Sequence, residues 1–167
     1  MPQIAAIYSR YVREAASSFE LEPPDVAEMR ERMQAIVSRG LPYLVATPRA
    51  SDETIAAYAY ASTYRPRAGY RYTLEDSVYV RADHQRRGLG RLLLAQVIAA
   101  SEARGYRQMI AIVGDSANVA SIELHAALGF ARAGVLTNVG RKLGRWLDTV
   151  LMQRALGPGA ATPPDEG

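Results

Sequence analysis

The stretch Leu74-Glu-Asp-Ser-Val-Tyr-Val-Arg81 alternates apolar and polar residues as a strand does. After Ala82-Asp83-His84 comes Gln85-Arg-Arg-Gly-Leu-Gly-Arg91, and an apolar helical pattern opens at Leu89. Strand, turn, glycine-bearing loop and helix start together make an anion cradle, because unpaired N–H groups gather at the positive end of the helix. Gly88 and Gly90 permit backbone conformations and a close approach that side chains would restrict, and Arg86, Arg87 and Arg91 add positive charge. Spacing narrows the choice of anion. A P-loop requires Lys and then Ser or Thr after its last glycine, whereas Gly90 is followed by Arg91 and Leu92. A dinucleotide fingerprint requires a small residue where Leu93 stands. The pattern that remains is Gln/Arg-x-x-Gly-x-Gly/Ala, met by residues 85 to 90.

The 167 residues suit one domain, assigned to 1–156, with a Gly/Pro/Ala-rich acidic tail at 157–167 that lacks an apolar pattern and is expected to be disordered. There is no cysteine, which excludes disulfides, thiolate nucleophiles and zinc-thiolate sites, and no metal site is expected. No apolar run is long enough to span a membrane and no signal peptide opens the chain, so a soluble, cytoplasmic protein is expected. The net charge of +3 is mild, and its arginines gather near 81–91 and 141–145 without an aromatic stacking platform, which favours an anionic small molecule over nucleic acid. Lys142 is the only lysine.

Along the chain, helical stripes are expected over Pro2–Ala16 and after Pro23-Pro24-Asp25, the second with Val26, Met29, Met33, Ile36 and Val37 on one face. Tyr43–Ala46 and Thr54–Tyr64 read as an antiparallel hairpin joined by a turn at Pro48–Asp52. After the central strand and its helix come a strand at Gln108–Val113, a helix from about Asn118 to Leu128, a strand to about Val135, a tight loop at Gly140–Arg145 and a last strand at Asp148–Leu156. The fold class is therefore α/β, a mixed sheet with helices on both faces.

The cradle resembles the pyrophosphate motif of the GCN5-related N-acetyltransferases (GNAT), which hold acetyl-CoA there. Ordered blocks through the rest of the chain narrow the likeness. They include Arg65-Pro-Arg67, Tyr70-Arg71, Glu75–Val80, Ser116-Ala-Asn118, Leu124-His125, Leu128-Gly-Phe130 and Val139-Gly-Arg-Lys-Leu-Gly-Arg-Trp-Leu-Asp148. They are similar to the phosphinothricin and methionine-sulfoximine N-acetyltransferase branch. Family members open with a strand before the first helix, whereas this chain opens inside the expected helix at Met1-Pro2, so the first strand is either absent from the sheet or lies outside this sequence.

The resemblance implies transfer of acetyl from acetyl-CoA to the α-amine of a small amino-acid analogue, a detoxifying reaction, by direct attack with a general base. It implies that the backbone around Val78, Tyr79 and Val80 aligns the pantetheine, that Arg86 to Arg91, including Leu89, hold the pyrophosphate, and that Asn118 and Ser121 meet polar parts of the cofactor. Glu75 corresponds to the family's proposed base. His125, which shares a helical face with Asn118 and Ser121, is the second catalytic candidate. Asp76 alternates to the other face of the strand. Arg65, Arg67 and Arg71 are candidates to clamp the substrate carboxylate, since a guanidinium pairs with it bidentately, and Tyr72 to line the amine's path. Phe130 stands near the place of the tyrosine that often protonates the thiolate, and it has no proton to give. The resemblance also implies a homodimer. Acetylation of a polyamine or a protein N-terminus, and cofactor binding by a non-catalytic regulator, are the alternative readings.

Overall fold

The computed structural model describes residues 1–48 and 54–164. Two helices lead, α1 (Pro2–Glu14) and α2 (Val26–Val37), followed by strands β1 (Tyr43–Ala46), β2 (Ala57–Thr63) and β3 (Thr73–Val80). Then α3 (Leu89–Glu102), β4 (Gln108–Gly114), α4 (Val119–Ala127), β5 (Ala131–Lys142) and β6 (Arg145–Ala155) complete the chain. Six strands form one sheet in the order β1-β2-β3-β4-β6-β5, with β3 and β4 parallel and all other neighbours antiparallel. This is the mixed sheet expected from the order of elements. Among the described residues no strand precedes β1, which forms one edge.

The alternation of β3 assigns each of its faces to a different core. Leu74, with Ala59 and Ala61 of β2, packs against Leu93, Leu94, Val97 and Ile98 of α3, a fully apolar stripe at helical spacing. Tyr79, with Tyr58 and Tyr60, meets Ile4, Ile7, Tyr8 and Val12 of α1. Tyr58 and Tyr79 stack at 5.0 Å between ring centres, and Tyr8 and Tyr11 approach Tyr79 edge-on. The sheet is thus clamped on both sides, which keeps the central strand rigid where the site is built.

Several boundaries differ from the sequence reading. Of the second helix's apolar set only Met29 is buried, and Val37 is exposed. Asp25 caps that helix as expected, accepting from the Glu28 N–H at 2.8 Å. Strand β5 does not end at Val135 but runs to Lys142, because irregular pairing between Arg132 and Gly134 and between Leu136 and Gly140 breaks the period-two pattern. The expected 140–145 loop shrinks to Leu143-Gly144, both at positive φ, between the paired Lys142 and Arg145. The turn at Pro48–Asp52 lies, apart from Pro48, outside the described residues. The tail is described as far as Pro164. The Gly159 N–H donates to Leu156 O at 2.9 Å, and the Arg107 guanidinium donates to Thr162 Oγ1 and Pro163 O. Polar contacts of this kind leave no apolar pattern to read. Replacing fully buried Leu94 with alanine is expected to cost about 3 kcal/mol, measured by denaturant unfolding.

Candidate active site

The site forms where two parallel strands part. Strands β3 and β4 pair only at Thr73–Gln108, Leu74–Met109 and Glu75–Ile110. Beyond that point β3 stays with β2 and β4 stays with β6, so the pair opens toward its C-terminal ends. A cavity of about 690 Å³ occupies the opening, with Val78 on one wall and Ala111 to Gly114 on the other. The Arg81 N–H donates to Ala56 O at 2.8 Å, which by alternation turns the backbone of Ser77 and Tyr79 toward β2 and that of Val78 and Val80 toward the opening.

Not all of those groups are available to a ligand. The Tyr11 hydroxyl donates to Val80 O at 2.8 Å and accepts from the Val80 N–H at 3.2 Å. Val78 is therefore the backbone position left facing the gap. Tyr79 borders the cavity, but its ring belongs to the tyrosine cluster on the far face and its backbone pairs with Tyr58, so it serves as a packing residue.

At the mouth, Gly88 precedes α3 with φ +78°, and no side chain caps the helix. The first-turn N–H groups of Leu89, Gly90 and Arg91 have no acceptor within the helix. Arg86, also at positive φ, and Arg91 line the same cavity. Arg87 does not, and its guanidinium donates to Asp83 O at 2.9 Å. The two glycines work differently. Gly88 supplies a left-handed conformation, whereas a Cβ on Gly90 would meet Leu124, Val80 and Val78 only at ordinary contact distances, so its absence keeps the groove wide. Asn118 caps α4 by accepting from the Ser121 N–H, and both residues border the cavity.

Consecutive residues of β3 carry the ionisable chemistry to opposite faces. Glu75, the last residue of β3 paired with β4, sits at the apex of the opening but is not one of the cavity's walls. Burial, and then the neighbouring charge of Asp76, pushes its carboxyl up to about 7. Asp76 is 6 % exposed and accepts from, or shares a proton with, His125 Nε2 at 2.9 Å. His125 is 3 % exposed, and its Nδ1 lies 2.7 Å from Ser121 O. A carbonyl only accepts, so Nδ1 carries a proton. Nε2 then either donates to ionised Asp76 or accepts from its protonated form. In both states the imidazole lone pair is occupied, which removes His125 as a free base and leaves the pair holding one transferable proton. Burial lowers the His125 pKa, but the Asp76 contact and the Ser121 carbonyl outweigh it and the net shift is upward.

A sequence model of the acetyltransferase (GNAT) family matches residues 4–130. The chain belongs to the GNAT acetyltransferase family. It is similar to a phosphinothricin N-acetyltransferase of Alcaligenes faecalis, 54 % identical over 165 residues that cover 99 % of this chain and 82 % of the relative. It is also similar to an L-methionine sulfoximine/L-methionine sulfone acetyltransferase of Pseudomonas paraeruginosa, 39 % identical over 98 % of this chain and 93 % of that protein. Among solved structures, a phosphinothricin acetyltransferase from Sinorhizobium meliloti in complex with AcCoA matches with a TM-score of 0.94 and 43 % identity, covering 98 % of this chain and 87 % of that one.

GNAT acetyltransferases take acetyl-CoA as donor, and the residues of this family member fit that molecule. An uncapped helix start flanked by Arg86 and Arg91 suits a pyrophosphate, and the unpaired edge of β3 at Val78 suits an extended amide chain. The arginines expected to clamp the acceptor lie elsewhere. Arg65, Arg67 and Arg71 are exposed in the β2–β3 connection and do not border this cavity. Arg65 packs over Tyr64 at 5.1 Å, and Arg71 over Tyr72 at 4.7 Å. Among the arginines lining the acetyltransferase cavity the sequence reading missed Arg145, which pairs with Asp115. It also missed Tyr11 and Ala15 to Ser17, which come from α1 and the turn after it and carry no motif.

Because Glu75 holds its proton more tightly when folded, its contribution to stability is fully present below the unfolded value near 4.5 and is lost as pH rises toward about 7. The Glu75→Gln acetyltransferase is therefore expected to gain in melting temperature relative to the parent across that window, hold the gain above pH 7, and show little difference at pH 4.5. Thermal unfolding at several pH values measures it.

Proposed function

We propose that this protein transfers the acetyl group of acetyl-CoA to the α-amine of a small amino-acid analogue of the phosphinothricin, methionine sulfoximine or methionine sulfone type. The observation that carries this reading is the opening between β3 and β4, with an anion cradle at its mouth and a carboxyl tuned to about 7 at its apex. The names of relatives at 54 % and 39 % identity supply the acceptor class.

Glu75 is assigned as the base. An amine with a pKa of roughly 8 to 10 is mostly protonated at neutral pH, and a base titrating near 7 accepts its proton without being swamped by it. Glu75 takes one proton from the ammonium, the neutral amine nitrogen attacks the thioester carbonyl carbon, the C–N bond forms as the C–S bond breaks, and the second amine proton leaves to water. For the departing thiolate the proton source assigned is the His125–Asp76 pair, which borders the same cavity and holds one proton, next to a Phe130 that offers none. Arg65, Arg67 and Arg71 with Tyr72 are kept as the carboxylate clamp. Their support is that Glu75 pairs with Ser62, three residues before Arg65, so the connection begins close to the base.

The protein is further proposed to be a cytoplasmic homodimer acting in detoxification. Among the described residues no helix is long and apolar enough to cross a membrane. The β5–β6 hairpin exposes Leu136, Val139, Leu143 and Trp146, the last at 59 %, an apolar face suited to a second copy. Trp146→Glu is expected to shift the sedimenting species toward monomer.

Thiol release from acetyl-CoA across phosphinothricin, methionine sulfoximine, methionine sulfone and a polyamine tests the function. Turnover is expected with the amino-acid analogues and not with the polyamine. The pH profile should rise through about 7 as Glu75 ionises. Glu75→Gln should lower kcat by on the order of 10² to 10⁴ while calorimetric binding of acetyl-CoA is retained. Gly88→Val should abolish that binding, because a β-branched residue cannot adopt φ +78° without strain.

A further inference from the structure

The chain's only lysine is not on the surface. Lys142, at the end of β5, is 6 % exposed, and its ammonium donates to Ala15 O at 2.9 Å and to Ser18 O at 2.5 Å. Among the described residues no carboxylate pairs with it. Burial pulls the ammonium's pKa down and the charge of Glu20 offsets this only in part, so the position needs a further compensating interaction. Ala15 is the C-terminal cap of α1, where unpaired carbonyls and the helix dipole favour a cation. Lys142 thus caps a helix from 127 positions away.

The turn it holds is pressed from other sides as well. A Cβ on Gly114 would lie 2.5 Å from Ala16 O and 3.1 Å from Ser17 Cα, and a Cβ on Gly140 would lie 2.7 Å from the Phe19 ring. The Tyr8 and Ser18 hydroxyls meet at 3.1 Å. Ala15, Ala16 and Ser17 in turn wall the opening between β3 and β4. The turn continues α1, and α1 packs on the face of β3 that carries Glu75 and Tyr79, opposite the face covered by α3. The turn therefore closes the opening from the side of the base. Ser17 Oγ is buried there with no hydrogen-bond partner among the described residues.

We propose that Lys142 is a positioning residue for the acceptor: by clamping the carbonyls of Ala15 and Ser18 it sets the 15–18 turn as the acceptor-side wall of the site, with the Ser17 hydroxyl offered to a polar group of the incoming amino acid. This rests on the acetyl-transfer reading above. Lys142 touches neither reactant and acts through the turn, so its loss changes how the acceptor is held.

The test is Lys142→Met, which keeps the length and removes the charge, beside Lys142→Arg, which keeps the donors. With methionine sulfone as acceptor, Lys142→Met is expected to raise the acceptor KM about tenfold while kcat and the acetyl-CoA KM stay within about twofold, and Lys142→Arg to recover most of the loss. Amide hydrogen exchange over residues 15–20 should speed up about tenfold in Lys142→Met while β3 and α3 remain protected. A folded Lys142→Met with unchanged exchange in that turn, or a loss shared by kcat and the acetyl-CoA KM, overturns the proposal. If Lys142→Met does not fold, Gly140→Ala, which lies outside the cavity, pushes on the Phe19 ring that follows the same turn and must give the same kinetic split, and parent-like kinetics there would overturn it equally. Exchange does not depend on which amine is accepted. A parent protein that acetylates no amino-acid analogue therefore defeats the functional reading alone, and the exchange result still decides the role of Lys142.

Discussion

Everything in this molecule turns on a failure of hydrogen bonding at one place in the sheet. Strands β3 and β4 begin as ordinary parallel neighbours and separate after Glu75 and Ile110. Buried backbone groups left without partners are expensive, so a parting of this kind persists only where something else meets them. The protein meets part of the demand itself through the two-way contact of the Tyr11 hydroxyl with Val80. The remainder, at Val78, is a vacancy in the ladder shaped for an extended chain with amides of its own. Each neighbouring device serves that gap: the tyrosine cluster and α3 stiffen β3 from its two faces, α3 begins at the gap's mouth, and the turn after α1 covers its side.

Strand alternation also separates two proton-handling groups that are adjacent in sequence. Glu75 lies toward α1 and burial brings its carboxyl up to about 7, whereas Asp76 lies toward α4 and is tied to His125. In the proposed mechanism, one step along the backbone thus divides the group assigned as base from the pair assigned as proton source. The like charge of Asp76 contributes to holding Glu75 up, so the two functions are electrostatically linked although their side chains never meet.

How far this was legible from the residues depends on the range of each interaction. The cradle was readable because its parts are contiguous: a period-two strand, two glycines at fixed spacing and an apolar helix within 18 positions, Leu74 to Arg91. Glu75 and the similarity of whole blocks to known acetyltransferases were readable for the same reason. The occupation of both nitrogens of His125 was not, since Asp76 stands 49 positions away and only the folded sheet brings it within 2.9 Å. The length of β5 was missed because its irregular pairing and the positive φ of Asn138 imitate the end of a strand. Arg145, Tyr11 and Ser17 carry no local signature, and their places in the site are set by tertiary packing of α1 and the β5–β6 hairpin.

The burial of Lys142 has a consequence beyond the turn it holds. With its ε-amine engaged by two carbonyls and no other lysine in the chain, the exterior presents no lysyl nucleophile to the activated thioester that the protein binds. An enzyme working beside a reactive acyl donor is thereby shielded from adventitious acylation of its own side chains, and its many surface cations, all guanidinium, keep their charge however much donor accumulates.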